Sequence, residues 1–272
     1  MPRDRSAAAL YNVFLTTEQQ HASLDVVLVR PRNPLNIGAA ARACANFGFT
    51  RLTVVDPYDP TWRAACSAVD AEFLLASARL TSTLAEAVAT ATLVLGTGSV
   101  DRRKSEQPVV ALPALAPVVA QELAGAGRVA LVFGSEKHGL TREDLAWCHQ
   151  LVAIPTSPLQ PSMNLGQSVA VCLYELATRV PAFAGDNHIL PADTAASLPA
   201  PDPADTHPVM QDLDRLASLI EETMAAARYS PASMRAANEH DLRLALRRMA
   251  FTRHDMRRAL GLFRRILWRI GH

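Results

Sequence analysis

The chain has 272 residues, 49% apolar and 19% charged, enough to bury a large core in one domain or in one domain with a small companion. A formal net charge of +1 excludes a uniformly basic nucleic-acid coat protein. Cys44, Cys66, Cys148 and Cys172 lie far apart in apolar segments without a CxxC pair, which points to reduced thiols and no zinc site. No run approaches the ~18 apolar residues of a membrane span, and residues 1–23 lack the apolar stretch of a leader. A soluble, cytoplasmic protein that uses no metal is expected.

Residues 1–23 show no periodicity and read as an N-terminal arm. Strands and helices then alternate. Asp25–Arg30 is an apolar strand, and Asn36–Phe47 is a small-residue helix ending at Gly48. Arg51–Asp56 is a strand stopped by Pro57, Trp62–Leu75 a helix and Leu84–Ala91 a short helix. The strand Thr92–Gly96 runs into Thr97-Gly98-Ser99. Leu112–Ala124 is helical, Arg128–Phe133 is a strand ending at Gly134, and Thr141–Cys148 opens with a Thr cap and acids in its first turn. Leu151–Ile154 is the last strand and Leu165–Arg179 the last helix of this series. Short apolar strands interleaved with helices predict an α/β domain over residues 24–180, a parallel sheet covered on both faces.

Composition changes after Arg179. Residues 181–206 are rich in Pro and Ala and read as a linker. Beyond it, Val209–Ala227, Glu239–Ala250 and His254–Ile270 have helical periodicity, giving a small all-helical module over residues 207–272. Its size makes it marginal alone, so it should pack on the main domain or on a partner subunit. From Asp241 onward there are nine arginines against two acids, so the neutral average conceals a basic C-terminal region.

Three clusters follow three different strands. In Asn33-Pro34-Leu35-Asn36-Ile37-Gly38-Ala39-Ala40-Ala41-Arg42, a turn delivers Asn36 to a helix start and leaves Arg42 as the one long side chain among small residues. Asn36 reads either as a helix cap or as a ligand-facing amide. Phe133-Gly134-Ser135-Glu136-Lys137-His138-Gly139-Leu140 forms a tight loop at a strand's C-terminal edge, where open α/β sheets place ligands. Glu136 either accepts hydrogen bonds there or is a solvated turn charge, and His138 and His149 read as ordinary polar residues. In Ile154-Pro155-Thr156-Ser157-Pro158-Leu159-Gln160-Pro161-Ser162-Met163-Asn164, a proline-rich loop ends at Ser162 and Asn164, which either cap the next helix or face a ligand at its positive end. No Walker lysine motif or dinucleotide fingerprint is present.

These clusters, in this order, resemble the three motifs of the SpoU (TrmH-type) class of SPOUT RNA methyltransferases. With a C-terminal extension containing Leu246-Arg247-Arg248-Met249-Ala250-Phe251-Thr252-Arg253, they are most similar to its TrmJ branch. The resemblance spans about residues 24–179, with Met163 standing where Leu is usual. It implies a C-terminal trefoil knot, a homodimer and S-adenosyl-L-methionine as cofactor. It also implies methylation of the ribose 2′-hydroxyl of tRNA at nucleotide 32 of the anticodon loop. The alternatives are an rRNA or other tRNA position, or an RNA-binding protein that does not catalyse. Arg42 takes the place of the catalytic arginine, with Asn36, Glu136, Ser162 and Asn164 around it. Thr97, Gly98, Ser99, Gly134, Ile154, Ser162 and Met163 surround the cofactor. Arg32, Arg247, Arg248, Arg257 and Arg258 are the expected phosphate contacts. Arg30 would add positive charge beside the first motif.

Overall fold

Seven strands build one sheet in the computed structural model, which describes residues 23–98, 106–180, 183, 206–229 and 232–271. Residues 1–22 of the expected arm, most of the linker and Ser99 lie outside the described residues. The strands are β1 (Leu24–Val29), β2 (Leu52–Val55), β3 (Arg79–Thr81), β4 (Leu93–Thr97), β5 (Val109–Ala111), β6 (Val129–Phe133) and β7 (Gln150–Ala153). They pair in the order β3-β2-β1-β6-β4-β7-β5, every pairing parallel. The helices are α1 (Pro34–Asn46), α2 (Glu72–Ser77), α3 (Leu84–Val88), α4 (Leu115–Ala124), α5 (Arg142–Leu145), α6 (Leu165–Arg179), α7 (Met210–Ala226), α8 (Arg235–Arg248) and α9 (Arg253–Ile270).

Alternation along β1 divides the core in two. Leu24, Val26 and Leu28 join a cluster with Ile37 and Cys44 of α1, Leu74 of α2, Val119 of α4 and Leu173 of α6. Val27 and Val29 face the other side, where Val94 and Val132 meet Val88 of α3, Met210, Leu213 and Leu216 of α7, Leu246 of α8 and Met256 of α9. The C-terminal helices therefore complete the covering layer of the sheet's second face. A parallel sheet requires both faces to be dry, and this is how the chain meets that requirement. The docking is reinforced where the Met210 and Gln211 N–H groups donate to the carbonyls of Ala91 and Ala89, at 2.9 and 3.1 Å. On the first face α1 and α6 pack closely: a Cβ on Gly166 would lie 2.7 Å from that of Ala39.

The structure departs from the expected elements in three places. β3 and β5 are additional edge strands of three residues each. The expected helix over residues 62–75 is broken into a 3₁₀ turn at Trp62–Ala64 and the short α2. Between them Asp70 adopts φ of 62°, and the Ser67 hydroxyl donates to the Leu35 carbonyl at 2.7 Å instead of facing along a helix. Cys66 in this break is exposed, whereas Cys44, Cys148 and Cys172 are buried, and burial pushes those three thiols up to about 12. Among the described residues, no helix is long and apolar enough to cross a membrane, and no group of three or more His, Cys, Asp or Glu side chains is placed to hold a metal ion.

Candidate active site

The C-terminal ends of β4, β6 and β7 open into a cleft of about 1200 Å³. Thr97, Gly98, Gly134, Glu136, Ile154, Ser162 and Met163 all line it. This is the edge at which a parallel sheet presents its loops. Thr97 turns its hydroxyl away, donating to the Val132 carbonyl at 3.0 Å, so it offers the cleft mainly its backbone.

The loop after β6 folds back on itself. A Cβ on Gly134 would lie 2.1 Å from the Gly139 carbonyl carbon, and Gly139 itself has φ of 66°. The Gly139 N–H donates to the Ser135 carbonyl at 2.8 Å, closing the loop and presenting Glu136 at its tip.

Asn33, not Asn36, caps α1: its Oδ1 accepts the Leu35 N–H at 2.9 Å, and Pro34 occupies the first helical position. The Asn36 side chain is therefore free to reach across the sheet edge. Its Nδ2 donates to Glu136 Oε1 at 2.8 Å, and its Oδ1 accepts from Asn164 Nδ2 at 2.9 Å. Asn164 caps α6 through Oδ1, which accepts the Gly166 and Gln167 N–H groups at 2.9 and 3.4 Å. Ser162 lies outside this cap and faces the cleft. The backbone N–H groups of Arg32 and Asn33 donate to Glu136 Oε2 and Oε1 at 2.9 and 3.1 Å.

The three motifs thus meet in one directed chain of hydrogen bonds. The α6 N–H groups can only donate and the Glu136 carboxylate only accept, so both intervening amides have a single satisfying orientation. Partial burial pushes the Glu136 carboxyl upward, but the Asn36 amide and the backbone donors outweigh it and hold its pKa below the ordinary carboxylate range.

Arg42 is exposed two turns along α1 and does not join the cleft lining. Arg32 is exposed, with its guanidinium 4.6 Å from the ring centroid of Tyr58, on the loop that supplies the Glu136 contacts. Arg248, Arg257 and Arg258 are exposed on the C-terminal helices. Arg247 is not a phosphate contact of the expected kind. It is only 7% exposed, lies 5.3 Å from the Trp147 ring centroid, and donates to the Arg243 carbonyl at 2.7 Å. Burial, reinforced by neighbouring Arg243, lowers its pKa to about 10. Arg30, expected to add free positive charge, is paired with Asp144.

His149 is half-buried: its Nδ1 accepts the Val94 N–H at 3.0 Å, and burial of the ring drives its pKa down to about 3. Spacing did not single out Asn33 as the cap, although Asn followed by Pro is a recognisable helix-start signal.

Residues 23–174 match the SpoU rRNA Methylase family. The chain is 41% identical over 152 residues to the tRNA (cytidine/uridine/adenosine-2′-O-)-methyltransferase TrmJ of Pseudomonas aeruginosa, a match spanning 56% of this chain and 59% of that one. It is 32% identical over 214 residues to the tRNA (cytidine/uridine-2′-O-)-methyltransferase TrmJ of Klebsiella pneumoniae, spanning 75% of this chain and 80% of the relative. The crystal structure of TrmJ from Z. mobilis ZM4 is similar over 89% of this chain and 98% of that one, with a TM-score of 0.70 and 27% identity. With the matched region holding all three strand-end loops and the likeness extending into the C-terminal helices, the chain belongs to the SpoU methylase family, on its TrmJ branch.

Proposed function

We propose that the protein methylates the ribose 2′-hydroxyl of tRNA in the cytoplasm, at nucleotide 32, using S-adenosyl-L-methionine. The observation that carries this reading is the hydrogen-bonded chain from Asn164 through Asn36 to Glu136 at the cleft's edge. The Pseudomonas aeruginosa and Klebsiella pneumoniae relatives are tRNA 2′-O-methyltransferases by name. The cleft suits the cofactor: Ile154 and Met163 supply half-buried apolar walls, and Gly98 and Gly134 bring backbone groups close. When bound, the cofactor supplies an electrophilic methyl group.

The chain's own residues then align and polarise. Displacement at the methyl carbon requires the ribose oxygen in line, and developing negative charge on that oxygen is favoured by a fixed cation. Arginine keeps its charge in proteins, so Arg42 serves as the stabilising guanidinium while water or a substrate phosphate accepts the proton. Because Arg42 stands outside its own cleft lining, a homodimer completes the site in this reading. Leu35, one α1 face with Arg42, is 49% exposed, and Val171 and Tyr174 of adjoining α6 are 39% and 51% exposed. A second copy packed on this apolar surface would bring each Arg42 toward its partner's cleft. The passage from β7 through the proline loop to α6 is the segment we assign to a trefoil knot.

Incubating the protein with labelled cofactor and bulk tRNA, followed by nucleoside mass mapping, tests activity and position together. Arg42→Ala should lower transfer by at least about 100-fold while S-adenosylhomocysteine binding persists. Near-normal transfer would remove Arg42 from the mechanism, and methylation of rRNA alone would redirect the substrate.

A further inference from the structure

The rim of the cleft is tied to the C-terminal helices through one carboxylate. Glu106, just ahead of β5, lines the cleft together with Gln107 and Arg142. Its Oε1 accepts from Arg142 Nε at 3.1 Å and lies 2.9 Å from Nη2. Its Oε2 accepts from Nε2 of His240, on α8, at 3.1 Å. A carboxylate offers only acceptors, so Nε2 carries the proton in this contact.

The His240 side chain is 14% exposed, against 42% for Glu106 and 63% for Arg142, so the network runs from a partly shielded histidine out to the cleft's rim. The next residue is pinned as well: Gln107 Nε2 donates to the Leu145 carbonyl at the end of α5, at 2.8 Å. At the start of α5, Thr141 and Asp144 form a reciprocal cap, and the same Asp144 holds Arg30, two residues before the N–H that Arg32 gives Glu136. An isolated surface ion pair is worth little, but here a partly shielded histidine, a carboxylate and an arginine form a network with two further anchors beside it.

We propose that His240 is a positioning residue for cofactor binding: through Glu106 it holds Arg142 and the 106–107 segment in place, so the C-terminal helices set how tightly the cleft grips its ligand. The proposal rests on the reading that this cleft binds S-adenosyl-L-methionine. His240 presents little surface of its own, and all three residues it organises face the cleft.

Calorimetric titration of the full chain with S-adenosylhomocysteine tests it. His240→Ala and Glu106→Gln should each weaken binding by about three- to tenfold, the net scale of one ordinary hydrogen bond, since both act on the ligand only through the residues they position. The double variant should be no worse than either single one, because both act on one path. His240→Gln, which retains an N–H donor, should recover most of the loss. In turnover, KM for the cofactor should rise with kcat little changed, and tRNA affinity should hold. Unchanged affinity in both single variants, or additive losses in the double, would overturn the proposal. So would a loss matched by equal falls in tRNA affinity and thermal stability, which would make His240 merely structural. Failure of the unsubstituted protein to bind the probe would instead overturn the cofactor reading beneath it.

Discussion

Asn164 does separate work with the two ends of one amide. Its oxygen closes the start of α6, and its nitrogen orients Asn36 toward Glu136. The two tasks can be separated chemically. Asn164→Asp keeps an oxygen for the cap, favourably charged for a helix N-terminus, but puts an acceptor against the Asn36 oxygen. Stability at neutral pH should stay within about 1 kcal/mol of the parent, by denaturant unfolding. Methyl transfer should fall by about 10- to 100-fold under saturating cofactor. Parent-like turnover would mean that the orientation of Asn36 is immaterial. Little of this was legible in the sequence. Asn36, Glu136 and Asn164 are brought together across more than a hundred residues, and local spacing carries no information about such a meeting. Their association was available only through resemblance to a family. Spacing did mark the glycines that shape the Glu136 loop and the Asn that opens α6.

Elements were more legible than contacts, for a reason visible in the sheet. β1, β2, β4, β6 and β7 are apolar runs that periodicity detects. β3 and β5 have three residues each at the sheet's edges, with mostly exposed or half-exposed side chains, and leave no such signature. Charge was the least legible property. The density of arginines marked the C-terminal helices as basic, yet only the packed structure shows that Arg247 points inward against Trp147 while Arg248 stays outside. α9 shows the same division: Met256 is buried, Phe263 packs against the core, and Arg257, Arg258, Arg264 and Arg265 remain exposed. Reversing the charge of Arg248, Arg257 and Arg258 together should weaken tRNA binding and reduce its salt dependence by up to about three phosphate contacts, while S-adenosylhomocysteine affinity holds. Filter binding across a salt series measures this, and an unaltered slope would remove these helices from the RNA surface.

At the scale of the molecule, the seam between the C-terminal region and the α/β domain carries its own titration. His207 Nδ1 lies 2.7 Å from Glu122 Oε2, and Glu122 also accepts from the Thr92 hydroxyl. Burial raises the Glu122 pKa, but the bonds from His207 and Thr92 outweigh it, and the net shift is downward from 4.5. The bond to Glu122 raises the His207 pKa above 6.5 against the opposing effect of burial. The Glu122 contribution is therefore present above the ordinary carboxylate range and is lost as pH falls through its lowered value. The His207 contribution is complete below the ordinary histidine value and is lost as pH rises through its raised one. The seam is firmest between about pH 5 and 6.5. Thermal unfolding should shift to lower temperature from pH 6 to 9, and His207→Gln should flatten that decline. An equally steep decline in the variant would assign the dependence to other groups.

The two-sided covering of the sheet also has a consequence in time. The seven strands of the sheet have been made once the ribosome passes Ala153, but the C-terminal helices that complete the cover over Val27, Val29, Val94 and Val132 begin at Met210. At a synthesis rate of about 5–20 residues per second, that face stays only partly covered, by α3 and the residues around α5, for several seconds in every newborn chain. The interval is a built-in demand for chaperone attention, and it makes the rate of translation through the proline-rich stretch part of what determines the yield of folded protein.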